Sequence, residues 1–450
     1  MKTRLMILVF IIITVPAAII TILRLESEKP LITIESMPDA VGASHEVVLK
    51  VSDLESGIRN IRIDVLQNGK EHSLYQKEFA SFSLTGSGYI FEESVKVDID
   101  PLQANLADGE AVLRIAASDY SWHAWWHGNK AYLEKRITID TKPPEIENLS
   151  YVHNITQGGV GLVIYRLSEP CVGSGVRIGD NFFPGYAGYS KDNNIFISFF
   201  ALDYKQGKDT KLFIEAFDKA ANYAKAGFPY YIKTRRFKQD IINISDRFLN
   251  WKMSGFDFSG LPDDKASMKD KFLYVNNKLR KADFETISRV VKKTDKILYW
   301  QGAFSRLPKS ANRAGFADHR SYKYNGAVID HQIHLGIDLA SVAHSPVPAA
   351  NKGRVAFTGS IGIYGKTVIM DHGFGLFSMY SHLSSITAQK DQILSKGEIM
   401  GRTGTTGLAG GDHLHFSILV NNVFVNPLEW WDSSWIKNNI SSKLDTISKQ

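Results

Sequence analysis

One cysteine, Cys171, occurs in 450 residues. No intrachain disulfide can form, so any part of the chain outside the cytoplasm must be stable through its cores alone. Its apolar neighbourhood reads as packing and argues against thiol chemistry. Charge of one sign is scarce too. The 53 Lys and Arg against 47 Asp and Glu leave a net charge of +6. With no long basic run and no base-reading motif, nucleic acid is excluded as a partner. The small excess suits polyanionic surroundings or a membrane surface. Long apolar runs are missing everywhere but at the start, where Leu5 to Leu23 is broken only by Thr14, Pro16 and Thr21. That is close to the ~20 residues a helix needs to cross a bilayer. Lys2 and Arg4 precede it, which favours a cytoplasmic N-terminus and places everything after Arg24 outside. The competing reading is a cleaved signal peptide ending near Ala17-Ala18. The run continues through Ile19, Ile20 and Ile22, which favours an uncleaved anchor.

The rest of the chain divides by pattern. After an anchor over 1–29, residues 30–142 read as short strands and turns. Arg59 to Tyr75 alternates and turns at Asn68-Gly69, a hairpin signal. Ala111 to Ser121 and Lys135 to Pro144 read as further strands, and Pro143-Pro144 ends the unit. Residues 143–234 repeat the style. Both units carry an Asp directly after an apolar strand, Asp119 and Asp218, and an Asn several residues later, Asn129 and Asn222. This is a weak internal repeat. The strand-Asp-Asn ending and the DTKPPEI junction resemble bacterial immunoglobulin-like spacer domains. Residues 235–310 form a connector in which Lys265 to Leu298 has apolar residues at helical intervals. Residues 311–432 return to glycines and short β runs, and 433–450 form a polar tail. The expected fold class is mostly β and multidomain.

Eight of the thirteen histidines lie between His319 and His415. HLGID supplies His334 and Asp338, SHL supplies His382, and DHLHF supplies His413 and His415. In a strand, i and i+2 share a face, so His413 and His415 project together. His334 and Asp338 are four apart, with Gly336 allowing a bend. Two His and one Asp would make three zinc ligands and leave a fourth position for water, the catalytic pattern. The remaining histidines would then be free to move protons. If all five were structural, imidazoles would be buried beside a carboxylate with nothing to justify the cost.

These residues, in this order, resemble the lysostaphin/LytM-type zinc peptidases of peptidase family M23, over roughly 316–430. The resemblance rests on His334/Asp338 with the following DLA, Pro346 to Val355, YSHL at Tyr380 to Leu383, Lys396 to Gly407, and HLHF at His413 to Phe416. It implies a C-terminal antiparallel β peptidase domain and one Zn²⁺ per chain, held by His334, Asp338 and His415. It also implies catalytic roles for His382 and His413. Tyr380 is a candidate for supporting the transition state, with packing as the equal alternative. Gly365-Lys366 and FADHR (Phe316 to Arg320) depart from the family pattern and put substrate fit, not metal binding, in question. His331 and His344 are candidate rim groups, His372 a turn residue, and His319 has no matching role.

The implied activity is hydrolysis of peptide bonds in peptidoglycan stems or cross-bridges. The enzyme would be a single-pass protein of the inner (cytoplasmic) membrane, with its bulk on the periplasmic or cell-wall side. The alternative is a non-hydrolytic activator or scaffold for other wall hydrolases. Degenerate relatives of that kind lack one or more of the five residues, and this chain keeps all of them. A regulatory protein partner is left open. The connector, lying just before the peptidase domain, is expected to cover the groove.

Overall fold

The computed structural model describes residues 2–80, 89–261 and 266–448. The chain forms two compact units. One is Met1–Pro144 with Phe217–Tyr223, and the other is Glu145–Ala216 with Ala224–Gln450.

The first unit begins with the helix Lys2–Arg24. Its stretch Arg4–Ile22 has a mean hydropathy of 2.9 and is long and apolar enough to cross a membrane. The two threonines do not interrupt it, because each hydroxyl returns to its own helix backbone. Thr14 donates to the Phe10 carbonyl and Thr21 to that of Ala17. Two sheets follow. One orders Leu31–Ser36, His45–Ser52 and Glu92–Ile99. The other orders Ala40–Val41, Lys130–Ile139, Gly109–Asp119, Ile58–Gln67 and Lys70–Glu78. Alternation puts Val47, Leu49 and Val51 from the first sheet and Ile61, Ile63 and Val65 from the second into one core. The expected hairpin is present, closing at Asn68-Gly69 with both residues left-handed. The repeated Asp-Asn ending also has a physical basis. Asp119 accepts from the backbone and side-chain amides of Asn129, and Asp218 accepts the same pair from Asn222.

In the second unit the main sheet runs Ala311–Ala314, Ile337–Ala340, Leu414–Val420, Leu376–Leu383, Gly365–Gly373, Gly353–Ile361 and Ile393–Leu394. Val423–Val425 pairs beside Leu414–Val420. A smaller sheet joins Gln239–Ile244, Asp318–Tyr324 and Ala327–His334, the first pair parallel. The connector thus contributes a strand to the frame on which His334 sits.

Its helices are Asp246–Met253, capped by Ser245, and a longer rod from Met268 to Val291 that widens to a π turn over Val275–Leu279. Ser267 and Asp270 form a reciprocal cap at the start of the rod. The expected helical span is longer at both ends. Lys265 lies outside the described residues. Beyond Val291 the chain leaves the helix to serve Asp371, which accepts from Thr294 Oγ1 and the Asp295 amide, each at 2.8 Å. The tail is helical and buries Ile436, Ile440, Leu444 and Ile447 in the same core as the sheet.

Candidate active site

Asp338 and His415 are direct antiparallel partners on adjacent strands, and their side chains share a face. His334 ends its own strand and is brought over the sheet by the Leu335-Gly336 turn. A Cβ on Gly336 would fall 2.6 Å from the His415 ring, so only glycine lets the backbone pass so close. His413 lies just before the strand Leu414–Val420 and is bridged to Gly404. As the HLH spacing predicts, His413 and His415 line the same cavity.

His382 breaks the alternation of its strand. Tyr380, two residues earlier, pairs with Phe416 and packs on its ring at 5.2 Å, on the face opposite His415. Regular alternation would send His382 the same way. Its φ of +63° is left-handed, a conformation that costs a non-glycine residue roughly 1–3 kcal/mol. The ring instead reaches the site, 4.8 Å from that of His413. It is held there by an Nδ1–H bond of 2.9 Å to the Thr406 carbonyl.

Hydrogen bonds settle which nitrogens are bare. A carbonyl can only accept, so His334 donates from Nδ1 to Gly315 at 2.7 Å and leaves Nε2 as a lone pair. Ser417 spends its proton on the Leu335 carbonyl at 2.7 Å and accepts from His415 Nε2 at 3.0 Å. His415 Nδ1 is therefore bare as well. These two lone pairs and Asp338 Oδ1 face one another at 2.9, 2.9 and 3.0 Å. A proton can bridge one edge of that triangle, whereas a metal ion uses all three corners. Imidazole nitrogen and carboxylate oxygen are ordinary zinc donors, and the three residues are buried. The donor set fits zinc.

Arg320 donates to Asp338 Oδ2 at 2.9 Å and leaves Oδ1 for the cluster. Burial would raise the Asp338 carboxyl, but with a proton bridging the His334–Asp338 edge of that triangle the surrounding imidazoles, His334 foremost, hold it well below the carboxylate range. Burial pushes His415 down to about 4, a neutral donor. His382 is also driven well below its ordinary value, by burial first and then by His413 and His415. His413 goes the other way. Burial pulls it down, but its hydrogen bond to Asp338 and that carboxylate's charge outweigh this, leaving it raised. The two remaining histidines are thus pushed apart, His382 toward neutral and His413 toward charged.

These five residues line a cavity of about 400 Å³ together with Arg280, Arg320, Tyr364 and connector residues Ile242, Asn243, Ile244, Phe248 and Phe272. Tyr380 is not part of the lining. It is 1% exposed, and its hydroxyl accepts from the Ala350 amide at 2.8 Å, so its place is in the core behind the sheet. The tyrosine at the cavity is Tyr364, with its ring 5.5 Å from that of His415.

The other histidines are placed as follows. His372 is fully buried in a strand between the Lys352 carbonyl and Ser378, not in a turn. His331 and His344 are outside the lining, and His319 stacks on Phe237. Arg320 closes the FADHR segment, expected to bear on substrate fit, and its bond to Asp338 places it at the donor cluster instead. Tyr364 had no sequence signal beyond its place before Gly365-Lys366.

Fold and site together define a β domain carrying a buried cluster of three residues able to hold a metal ion, with two further imidazoles beside it. Residues 332–427 match the family model for Peptidase family M23, and the chain carries an M23 peptidase domain there. Over 133 residues it is 32% identical to the DD-carboxypeptidase/endopeptidase Mpg of Neisseria meningitidis serogroup B, covering 30% of each chain. Over 132 residues it is 31% identical to the peptidoglycan DD-endopeptidase ShyA of Vibrio cholerae, covering 29% of this chain and 30% of that one. The chain thus matches about 30% of the length of these curated relatives. Among solved structures, a putative peptidase M23 from Pseudomonas aeruginosa matches 62% of this chain and 95% of its own, at 20% identity and a TM-score of 0.40.

Proposed function

We propose that this protein is a zinc-dependent endopeptidase that hydrolyses peptide bonds in peptidoglycan stems or cross-bridges. The observation that carries the reading is the triangle of acceptors formed by His334 Nε2, His415 Nδ1 and Asp338 Oδ1, which calls for a cation at its centre. A zinc ion held by these three residues would supply a Lewis acid and would lower the pKa of a water at the fourth position toward ~7. His382, neutral and fixed through Nδ1, keeps Nε2 as the base that takes a proton. His413, held toward its charged form, donates to the developing oxyanion or the leaving amine. Arg320, bonded to Asp338 Oδ2, would leave Oδ1 turned to the metal. Peptidoglycan as substrate draws support from the matched family and from relatives named for peptidoglycan.

The apolar helix Lys2–Arg24 would anchor the chain in the cytoplasmic membrane, with the β units as immunoglobulin-like spacers that hold the peptidase toward the wall. The test is release of muropeptides from purified peptidoglycan by the detergent-solubilised full chain. Release is expected to stop with chelator and to be absent in His415→Ala, with zinc content falling in parallel. A folded, zinc-loaded protein that releases nothing would sink the proposal and leave the activator reading.

A further inference from the structure

Three segments of the connector meet three segments that build the site. The strand Gln239–Ile244 lies parallel to Asp318–Tyr324, with Asp240 in register with Arg320. Lys252, on the helix Asp246–Met253, is 5% exposed and donates from Nζ to the Thr405 carbonyl at 2.6 Å. Asp283 is buried and accepts the Ile363 amide at 2.8 Å.

Lys252 has no carboxylate partner among the described residues. Burial pulls its ammonium down to about 8 and pushes the Asp283 carboxyl up to about 6. An apolar side chain would fill either space without that desolvation cost. What the polar groups add is direction, because each meets one backbone atom of a loop at the cavity.

Those loops lead straight to the chemistry. The residue after Thr405 is Thr406, whose carbonyl receives the Nδ1–H of His382 and whose hydroxyl donates to the Leu383 carbonyl at 2.8 Å. Peptide planes are rigid, so fixing the Thr405 carbonyl fixes the plane that enters Thr406. With the Thr406 hydroxyl also tied to Leu383, the residue has little freedom left to turn its own carbonyl. Ile363 precedes Tyr364, and its carbonyl accepts the Leu408 amide at 2.8 Å. The two loops are therefore joined to each other and gripped from the connector side by one cation and one acid.

We propose that the connector is part of the catalytic apparatus. Lys252 is a positioning residue that sets the orientation of His382 through Thr405 and Thr406, and Asp283 fixes the loop of Tyr364. This rests on the hydrolase reading above. It also reverses the sign expected of a connector that merely covers the groove, since loosening a cover raises the rate and loosening a support lowers it.

The experiment compares wild type, Lys252→Met, Lys252→Arg and Asp283→Leu in the full, zinc-loaded chain. The wild-type rate tests the proposed function, and the ratio of variant to wild type tests this inference. Lys252→Met is expected to lower kcat about tenfold or more and to leave KM within about threefold, with one zinc per chain retained. Lys252→Arg, which can still donate to the carbonyl, restores most of kcat. Hydrogen exchange of residues 403–408, which needs no activity, should quicken about tenfold in Lys252→Met. Wild-type kcat, an increased rate, or unchanged exchange in Lys252→Met overturns the proposal. If that variant does not fold, Asp283→Leu, which removes the acceptor of the Ile363 amide, decides: a lower kcat at full zinc occupancy supports the proposal, and wild-type kcat overturns it.

Discussion

Asp338 and Glu429 are carboxylates enclosed to a similar degree in different parts of the C-terminal unit, and their surroundings drive them in opposite directions. Asp338 has Arg320 on one oxygen and three imidazoles about the other, and it is held ionised. Glu429 belongs to the short helix Pro427–Trp431. It is half-buried as a residue, and its carboxyl group lies against Gly159 and, among the described residues, accepts the Val160 amide at 3.0 Å. Burial pushes it up to about 8, against a partial offset from the Val160 amide and Arg235. Burial alone does not decide charge. The number and sign of the partners do, and in this pair the ionised carboxylate is the one where a cation is to be held.

The comparison breaks most visibly at Glu429. Its folded pKa lies above its unfolded value, so between about 4.5 and 8 the native state keeps a proton that the unfolded chain releases. Stability is then complete below that window and falls as pH rises through it. Glu429→Gln keeps an acceptor for the Val160 amide and carries no charge at any pH. The variant should match wild type near pH 4.5 in urea unfolding and exceed it by on the order of a few kcal/mol at pH 8. A difference independent of pH would show that Glu429 is ionised despite its burial.

At Asp338 the comparison is sharpened by removing the countercharge. Arg320→Leu leaves all three proposed donors in place but takes away the partner of Oδ2. Zinc affinity should fall about 10–100-fold, as read by competition with a chromophoric chelator. Unchanged affinity would mean that the imidazoles alone hold Asp338 ionised and in place.

How much of this the chain disclosed in advance follows from the range of the interactions. The positions of His413 and His415 on one face, the Asn68-Gly69 hairpin and the apolar N-terminal helix each depend on residues close in sequence, and period and spacing expose them. Arg320 and Lys252 act on residues 18 and 153 positions away, and no local pattern carries such information. His382 is a third kind of case. Its motif marks it, but the strand pattern would turn it to the wrong face, and only its left-handed backbone brings it to the site. The choice left open for Tyr380, support or packing, turns on the same point. Tyr380 sits beside the SHL motif yet shares the far face with Phe416, whereas Tyr364 is delivered by a 3₁₀ turn over Gly362–Tyr364 that spacing does not reveal.

These two tyrosines give the smallest of the expected effects. Tyr364 lines the cavity, and its hydroxyl makes no hydrogen bond among the described residues. Burial pushes it up to about 12, so it keeps its proton and can only donate to an anion formed beside it. Tyr364→Phe removes that donor and should lower kcat by about threefold to tenfold, the range of one hydrogen bond of about 1 kcal/mol. Tyr380→Phe removes instead an acceptor for the buried Ala350 amide. It should leave kcat unchanged and cost about 1–2 kcal/mol of stability. Steady-state rates and urea unfolding on both variants separate the two roles. If Tyr380→Phe were the slower enzyme, the far side of the sheet would be coupled to the site through Phe416 and His415, and the division between reacting face and packed face would have to be redrawn.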